Sequence, residues 1–195
     1  MLSPAELRER FERVSAAVGP AVTIVAATKY VSVADFAVLA EAGIPVVGEN
    51  RAQDLEAKHG EYGDAFRWHF IGRLQSNKVK VVNGICELVH SLDSHTAARR
   101  LEVPALLQVN LAGEGSKGGI APEAVPEYLD YDVRGLSTMP PATATGEESA
   151  AWFRRLHELA ATYSLCELSM GTSQDYAVAA REGATYIRIG SVLFR

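Results

Sequence analysis

The sequence predicts a single (β/α)8 TIM-type barrel with an extra N-terminal helix. Eight short apolar runs alternate with seven helix-forming segments along 195 residues, and glycines follow several of these segments where helices would stop. Polar, ionisable or glycine residues finish most of the apolar runs, as expected where parallel strands end at one rim of a barrel. A doubly wound open sheet of eight strands fits the same alternation and remains the competing architecture.

Each element has its own pattern. The first 18 residues place Leu7, Phe11, Val14 and Val18 on one side, which indicates an amphipathic leading helix. The predicted strands are the apolar runs at 22–28, 45–48, 68–71, 88–91, 105–109, 133–139, 168–170 and 186–189. The predicted helices fill the intervals at 33–42, 52–59, 75–83, 96–101, 122–130, 147–163 and 176–182, with stops expected at Gly43, Gly60, Gly84 and Gly183.

Composition sets the class of protein. Apolar residues make up 48% and charged residues 22%, which is typical of one soluble globular domain spanning residues 1–195. The net charge of −5 argues against electrostatic nucleic-acid binding. No run approaches the roughly 20 apolar residues that span a membrane. The start lacks a signal-peptide pattern, and Cys86 and Cys166 lie far apart, so we expect a cytoplasmic protein.

The last βαβ unit carries the clearest candidate for anion binding. Thr172 and Ser173 stand where they would cap the following helix, and Asp175 falls in its first turn. Gly190 with Ser191 follows the eighth strand, and barrel phosphate sites commonly form after strands seven and eight. Ordinary helix capping, with Arg188 paired to a carboxylate, is the alternative that these residues leave open.

Lys29 is the lysine placed at the carboxyl end of a predicted strand, after small residues that leave space beside it. The other lysines, Lys58, Lys78, Lys80 and Lys117, fall in helical or loop segments. A strand-end lysine most often faces solvent. A partly desolvated amine there would instead form a Schiff base with an aldehyde.

Other motifs point away from common enzyme classes. Residues 113–118 match G-x-G-x-x-G after a strand, but Pro122 and Pro126 follow where a dinucleotide site needs a regular helix, so we expect a loop. Residues 140–146 are also expected to form a loop. The five histidines show no metal-ligand spacing, and no G-x-S-x-G element is present. The polar stretch 73–80 indicates a solvated helix face or, alternatively, a partner surface.

Seven segments, in order, carry a family resemblance. They are AATK (26–29), GENRAQ (48–53), WHFIGRLQSNK (68–78), VHSLD (89–93), LQVN (107–110), SMGTSQD (169–175) and GATYIRIG (183–190). With these segments the chain resembles the pyridoxal phosphate homeostasis proteins, a family of single-domain barrels similar to the N-terminal domain of alanine racemase.

The resemblance implies a site for pyridoxal 5′-phosphate. Lys29 would carry the cofactor as a lysine aldimine (a Schiff base), and Arg188 would lie near the pyridine nitrogen rather than the phosphate. The phosphate would be held by Thr172, Ser173, Gly190 and Ser191. The pocket would be lined by Asn50, His69 and Met139. No catalytic residue and no metal ligand are expected.

The resemblance also implies a carrier of the cofactor that acts in its homeostasis and transfers it transiently to apo-enzymes, as a monomer or weak dimer. A cationic Arg188 at the ring nitrogen disfavours protonation of the ring, which makes it a poor electron sink. A racemase also needs a second base, which an additional domain supplies in the racemase fold, and we find no residues left for one here. A pyridoxal-phosphate-dependent amino-acid racemase is the alternative function, and an interaction module using residues 73–80 is a third.

Overall fold

The computed structural model describes residues 2–113, 115, 118–141 and 146–195. Within these ranges eight parallel strands close into a barrel in chain order, and β1 pairs with both β2 and β8. This closure confirms the predicted barrel and excludes the open sheet. The strands are β1 (Thr23–Ala27), β2 (Val46–Glu49), β3 (Arg67–Phe70), β4 (Leu88–Leu92), β5 (Ala105–Gln108), β6 (Val133–Ser137), β7 (Glu167–Ser169) and β8 (Tyr186–Ile189).

Helices surround this barrel. They are α1 (Pro4–Val18), α2 (Phe36–Glu41), α3 (Ala52–Tyr62), α4 (Val79–Asn83), α5 (His95–Ala98), α6 (Ser149–Thr162), α7 (Tyr176–Arg181) and α8 (Ser191–Phe194). The leading helix is confirmed: Ser3 caps it in a capping box with Glu6, Leu7 and Val14 are buried, and the helix contacts α2, α7 and α8. Helix α1 thereby covers the part of the barrel where the last strand meets the first.

The main apolar core lies between the barrel and the helices. Residues that point outward from the strands, such as Ile24, Val47 and Ile187, are buried against the helices. An aromatic cluster fills the space outside β3, where the rings of Phe36 and Trp68 stack with centroids 5.7 Å apart. The barrel interior is more polar, because its inward-facing positions include several histidine, serine and arginine side chains.

Several predicted helices differ from the structure. The segment predicted at 33–42 is α-helical only from Phe36, and the one predicted at 96–101 ends at Ala98. The segment predicted at 122–130 is a 3₁₀ helix over Pro122–Tyr128, because Pro126 lies inside it and lacks the N–H that an α-helix requires. The segment predicted at 75–83 begins as a turn and becomes α-helical only from Val79. Helix α3 continues through the predicted stop at Gly60 and ends at Tyr62, where Gly63 is the C-cap and its φ of 41° favours glycine.

Among the described residues, none of the helices combines the length and the apolar character needed to cross a bilayer. The predicted loops at 113–118 and 140–146 are described only in part, because residues 114, 116–117 and 142–145 lie outside the described ranges.

Candidate cofactor-binding site

A small cavity opens at the rim where the strands end. Its walls come from residues in or directly after strands β3, β4, β5, β6 and β8, namely Ile71, His90, Gln108, Ser137, Thr138, Met139 and Arg188. Of the residues predicted for the site, Met139 and Arg188 therefore line one cavity. Met139 is 53% exposed, which is consistent with a position at the cavity mouth.

Arg188 is held inside the barrel by neutral acceptors. Its Nη1 donates to the Ser169 carbonyl at 3.0 Å and to the Ser169 hydroxyl, and its Nη2 donates to the Thr138 carbonyl at 2.9 Å. No carboxylate forms an ion pair with Arg188 in the part of the chain that the structure describes. The predicted alternative of an ordinary Arg–carboxylate pair is therefore not what fixes this side chain.

Burial acts against the charge on Arg188. Desolvation lowers the pKa of Arg188 to about 10, while the nearby Asp175 carboxylate acts in the opposite direction. A pKa of about 10 still leaves the guanidinium protonated at neutral pH. The cavity is thus lined by a cation whose charge is not neutralised by a directly bonded anion.

A hydrogen-bonded chain leads from Arg188 down into the barrel, and we call Arg188, Ser169, His90 and His69 the inner column. His90 Nδ1 lies 2.7 Å from Ser169 Oγ, and His90 Nε2 lies 2.9 Å from His69 Nδ1. Ser169, His90 and His69 are each at most 2% exposed.

The donor and acceptor roles of the histidine nitrogens depend on the tautomer, and we assign them by starting from Arg188, which can only donate. Since Arg188 donates to Ser169 Oγ, we assign the Ser169 hydroxyl as the donor to His90 Nδ1. His90 then donates from Nε2 to His69 Nδ1, and the remaining proton of His69 sits on Nε2. This nitrogen is buried and has no hydrogen-bond partner among the described residues.

Both histidines of the column are held neutral. Burial lowers the pKa of His69 to about 3, with a further contribution from Arg67. Burial also lowers the pKa of His90 well below its usual value, and the neighbouring His69 and Arg188 act in the same direction. The sequence led us to expect His69 in the pocket wall. The structure has His90 in the wall, and His69 contacts it from the interior.

Lys29 lies just beyond the end of β1. Its neighbours Thr28 and Val31 close a turn in which the Val31 N–H donates to the Thr28 carbonyl at 2.9 Å, so Lys29 and Tyr30 occupy the two central positions. The side chain of Lys29 is exposed, and its Nζ lies 4.8 Å from the centroid of the exposed Tyr30 ring. The amine is therefore at the rim rather than among the residues that line the cavity.

The closure of the barrel brings the Lys29 turn next to the end of β8. Ala26 is in register with Ile189, and a Cβ added to Gly190 would lie 3.7 Å from the Ala27 carbonyl oxygen and 3.8 Å from its Cβ. The open backbone at Gly190 and the turn that carries Lys29 thus belong to the same sector of the rim.

The loop after β7 differs from a simple helix cap. The expected capping by Thr172 and Ser173 is wrong, because Asp175 occupies the N-cap position of α7 and its carboxylate turns back to Thr172. Asp175 accepts from the Thr172 N–H at 2.7 Å and from the Thr172 hydroxyl at 3.1 Å. Ser173 Oγ accepts from the N–H groups of Gly190 and Val192 at 3.2 and 3.3 Å.

This loop still presents donors. The Ser173 hydroxyl uses its oxygen to tie the β7 loop to the β8 loop, so its proton remains available. The backbone N–H groups of Ser173, Gln174 and Ser191 have no acceptor among the residues that the structure describes. Backbone donors of this kind, clustered between two βα turns, suit an anion.

Asn50 follows β2, at the same rim. Its Oδ1 is buried and has no hydrogen-bond partner within the described ranges. A buried polar atom without a partner is uncommon and indicates a place for a ligand or water. The described residues contain no group of three or more His, Cys, Asp or Glu side chains that would hold a metal ion.

Sequence reasoning missed most of the cavity wall, namely Ile71, His90, Gln108, Ser137 and Thr138, as well as Ser169 behind it. A signal for two of them was present, because His90 and Ser169 are polar residues inside short apolar strands, where the alternation assigns them to the barrel interior. What the sequence lacked was the partner across the barrel. His90 and Ser169 are separated by 79 positions along the chain.

Comparisons with known proteins give the family. The chain is 41% identical over 175 residues to the pyridoxal phosphate homeostasis protein of Aquifex aeolicus, and the alignment covers 78% of this chain and 77% of that protein. It belongs to the pyridoxal phosphate homeostasis protein family. The family protein of Deinococcus radiodurans is 36% identical over 206 aligned residues, which cover 97% of this chain and 96% of the relative. No family model matches the chain.

Solved structures agree with this assignment. PipY of Synechococcus elongatus PCC7942, solved with PLP bound, is 32% identical, has a TM-score of 0.88, and aligns with 97% of this chain and all of that one. A lysine/ornithine decarboxylase from Vibrio vulnificus, solved with putrescine, is 14% identical with a TM-score of 0.73. That alignment covers 98% of this chain and 62% of the decarboxylase, and it shows a shared fold alone.

Proposed function

We propose that this protein binds pyridoxal 5′-phosphate through Lys29 and acts as an intracellular carrier of the cofactor, without turning over amino acids. The observation that carries the proposal is the closure of the barrel between β1 and β8. It brings the turn that presents Lys29 to the same sector of the rim as Gly190 and the donor loop after β7. Family membership and the PLP-bound PipY structure support it.

The residues present fit the chemistry of this cofactor. Its phosphate would be held by the hydroxyl and N–H of Ser173 and by the backbone at Gly190 and Ser191, where donors without acceptors meet. The Thr172 hydroxyl already donates to Asp175, so we propose that it contributes less to phosphate binding than Ser173 does. Asn50, with its unpartnered buried oxygen, and Met139 at the cavity mouth would contact the ring.

The cofactor supplies an aldehyde that condenses with a primary amine, with loss of water, to a Schiff base. Lys29 provides that amine. Because its side chain is exposed beside Tyr30, it has to turn from the Tyr30 ring toward the cavity when the cofactor enters. An amine at an exposed rim is also accessible for the reverse step, which suits a protein that releases what it binds.

Arg188 makes amino-acid chemistry unfavourable in this pocket. A guanidinium that stays charged at neutral pH opposes protonation of a pyridine nitrogen placed beside it, so the ring would stabilise a carbanion poorly. The two buried histidines add no base at neutral pH that could reach a substrate, since His69 and His90 are engaged with each other. Binding without turnover is therefore the function that the geometry favours.

The central test is the visible absorption of the Schiff base. Purified protein mixed with pyridoxal 5′-phosphate should develop the band, and borohydride reduction should leave the label on Lys29. Lys29→Ala should abolish the band, whereas the matched control Lys80→Ala, an exposed lysine outside the site, should keep it. A band of unchanged intensity in Lys29→Ala would show that another lysine is modified.

A second measurement separates a carrier from a racemase. The loaded protein should exchange the α-proton of alanine with solvent no faster than free pyridoxal 5′-phosphate does. Fast exchange would contradict the carrier role. We further propose that the whole chain forms a single binding domain, that it resides in the cytoplasm, and that apo-enzymes receive the cofactor from it in transient encounters.

A further inference from the structure

A buried ion pair lies directly behind the turn that presents Lys29. The Lys58 ammonium, on α3, is 2.6 Å from Glu49 Oε1 at the end of β2. Lys58 is 4% exposed and Glu49 is fully buried. The face of the Phe36 ring, on α2, lies 5.0 Å from the ammonium. The pair therefore sits between the barrel and the helix layer.

Both members of this pair are bonded to Thr28, the residue before Lys29. The Lys58 ammonium donates to the Thr28 carbonyl at 2.9 Å, and the Thr28 hydroxyl donates to Glu49 Oε1. The Thr28 N–H donates to the Gly48 carbonyl at 3.1 Å. We call Thr28, Glu49 and Lys58 the outer clamp.

The outer clamp fixes the first residue of the Lys29 turn. The Thr28 carbonyl accepts from two donors, the Val31 N–H that closes the turn and the Lys58 ammonium, so both of its lone pairs are used. Rotation of the Thr28 peptide would break both bonds at once. The direction in which the chain leaves β1, and with it the reach of the Lys29 side chain, is thereby set.

Stability alone does not account for such a pair. Two charges lose their hydration on burial, and a well-packed apolar pair of similar volume generally serves stability as well or better. A buried oxygen of the clamp, Glu49 Oε2, even remains without a partner among the described residues. The bonds that the pair does make converge on the one residue that anchors the Lys29 turn.

We infer that Lys58 and Glu49 are positioning residues, which act through Thr28 to hold the Lys29 turn in the geometry that accepts the cofactor. The inference rests on the proposed function of Lys29. It assigns a role to a lysine that the sequence alone placed in an ordinary helix. The side-chain bonds of the clamp converge on Thr28, whereas its backbone meets the cavity wall at one point, where the Glu49 carbonyl accepts from the Ile71 N–H at 2.9 Å. Exchange at Val31 therefore separates an effect through the turn from one through the Glu49 backbone.

The test removes both charges together, because Lys58→Met alone would leave a buried carboxylate uncompensated. Glu49→Gln/Lys58→Met keeps an acceptor for the Thr28 hydroxyl but removes the donor to the Thr28 carbonyl. We expect the apo-protein to remain folded by circular dichroism. Its Val31 amide should exchange with deuterium about tenfold faster, and its Kd for pyridoxal 5′-phosphate should rise about tenfold.

Thr28→Val provides a second, nearly isosteric variant if the double variant fails to fold. It removes the hydroxyl bond to Glu49 and leaves the Lys58 bond to the carbonyl, so we expect about a threefold rise in Kd and faster exchange at Val31. The matched control, Arg154→Met/Glu182→Gln, removes an ion pair of 3.0 Å on the outer helices and should change neither quantity.

The outcomes separate the two proposals. Folded variants with wild-type Kd and wild-type exchange at Val31 would overturn the inference and leave the proposed function intact. A wild-type protein that does not form the Schiff base would overturn the proposed function. Exchange at Val31, measured on the apo-protein, would in that case still report whether the clamp holds the turn.

Discussion

Two buried polar arrangements serve the same rim in different ways. The inner column lies inside the barrel and consists of one cation and three neutral groups, whereas the outer clamp lies between barrel and helices and contains a complete ion pair. The charges of Lys58 and Glu49 neutralise each other within the clamp, so the clamp acts on a ligand through the backbone. The column leaves the positive charge of Arg188 facing the cavity, so it can act on a ligand directly.

The difference in charge explains why the column lies inside the barrel and the clamp lies outside it. Histidine and serine bond to one another while uncharged, so the interior of a narrow barrel can hold them without burying several charges. Outside the barrel, long side chains from a helix can reach a strand end, and Lys58 spans that gap to Glu49. Four predictions test this comparison, from the largest expected effect to the smallest.

Arg188→Met should have the largest effect. It leaves the Ser169 and Thr138 acceptors without their donor, which should lower the free energy of unfolding by about 2–4 kcal/mol. Loss of the cation should also weaken binding of pyridoxal 5′-phosphate at least about tenfold, measured by titration. Exposed Arg154→Met is the control and should alter stability by less than about 0.5 kcal/mol. Unchanged cofactor affinity in Arg188→Met would exclude a pocket role.

Acid should destabilise the protein through the inner column. The pKa of His69 is about 3 in the folded protein and near 6.5 when unfolded, so only the unfolded chain binds a proton between these values. Above pH 6.5 burial of His69 does not lower the free energy of unfolding. Below pH 6.5, down to about pH 3, it lowers the free energy of unfolding by about 1.4 kcal/mol for each pH unit. Urea unfolding between pH 7 and 4 measures the slope.

His69→Gln is the control for this slope, because glutamine keeps a hydrogen-bonding group and does not titrate. The pH dependence should be flatter in this variant by about the contribution of one histidine. An identical slope in both proteins would mean that His69 is protonated in the folded state, and the neutral column would then be the wrong description.

Ser169→Ala should have an intermediate effect. It removes the hydroxyl that links Arg188 to His90, at an expected cost of about 1–2 kcal/mol, because both neighbours lose a partner. The tautomer of His90, read from its ring ¹⁵N chemical shifts, should become mixed. Ser15→Ala on α1 should change stability by less than about 0.5 kcal/mol. A single, unchanged tautomer in Ser169→Ala would remove the serine from the column.

Glu87→Gln should have the smallest effect. Glu87 pairs with Arg67 at 2.8 Å, but both side chains are about half exposed, so solvent and salt screen the attraction. We expect a change of less than about 0.5 kcal/mol, shrinking further at high salt in denaturant titrations. A decrease of more than about 1 kcal/mol in the free energy of unfolding would mean that an exposed ion pair of this protein stabilises it as much as a buried polar contact does.

Most of the barrel could be predicted from the sequence. Strands β1 to β8 all appeared within two residues of the expected ends, because branched apolar runs and glycine stops are local signals. The ends of helices were less predictable. Pro126 turned an expected α-helix into a 3₁₀ helix, and α3 continued past Gly60.

Residues of the candidate site could be predicted from the sequence where they lie at strand ends. Their hydrogen-bond partners could not. Lys29 was singled out by its position, and Met139 and Arg188 were assigned to the pocket by the family resemblance; the structure brings these last two to one cavity. The role of Asp175 was misjudged, since a carboxylate three residues after Thr172 can bond back to it as readily as it can favour the helix.

By itself the sequence determined the alternation of strands and helices, the family, and a lysine at the end of the first strand. Tertiary structure alone decided which polar groups meet. Ser169 reaches Arg188 and His90, and Lys58 reaches Thr28, across 19, 79 and 30 positions of the chain. The physical reason is that apolar periodicity is written locally, whereas a buried hydrogen bond needs a partner whose position depends on how the barrel closes.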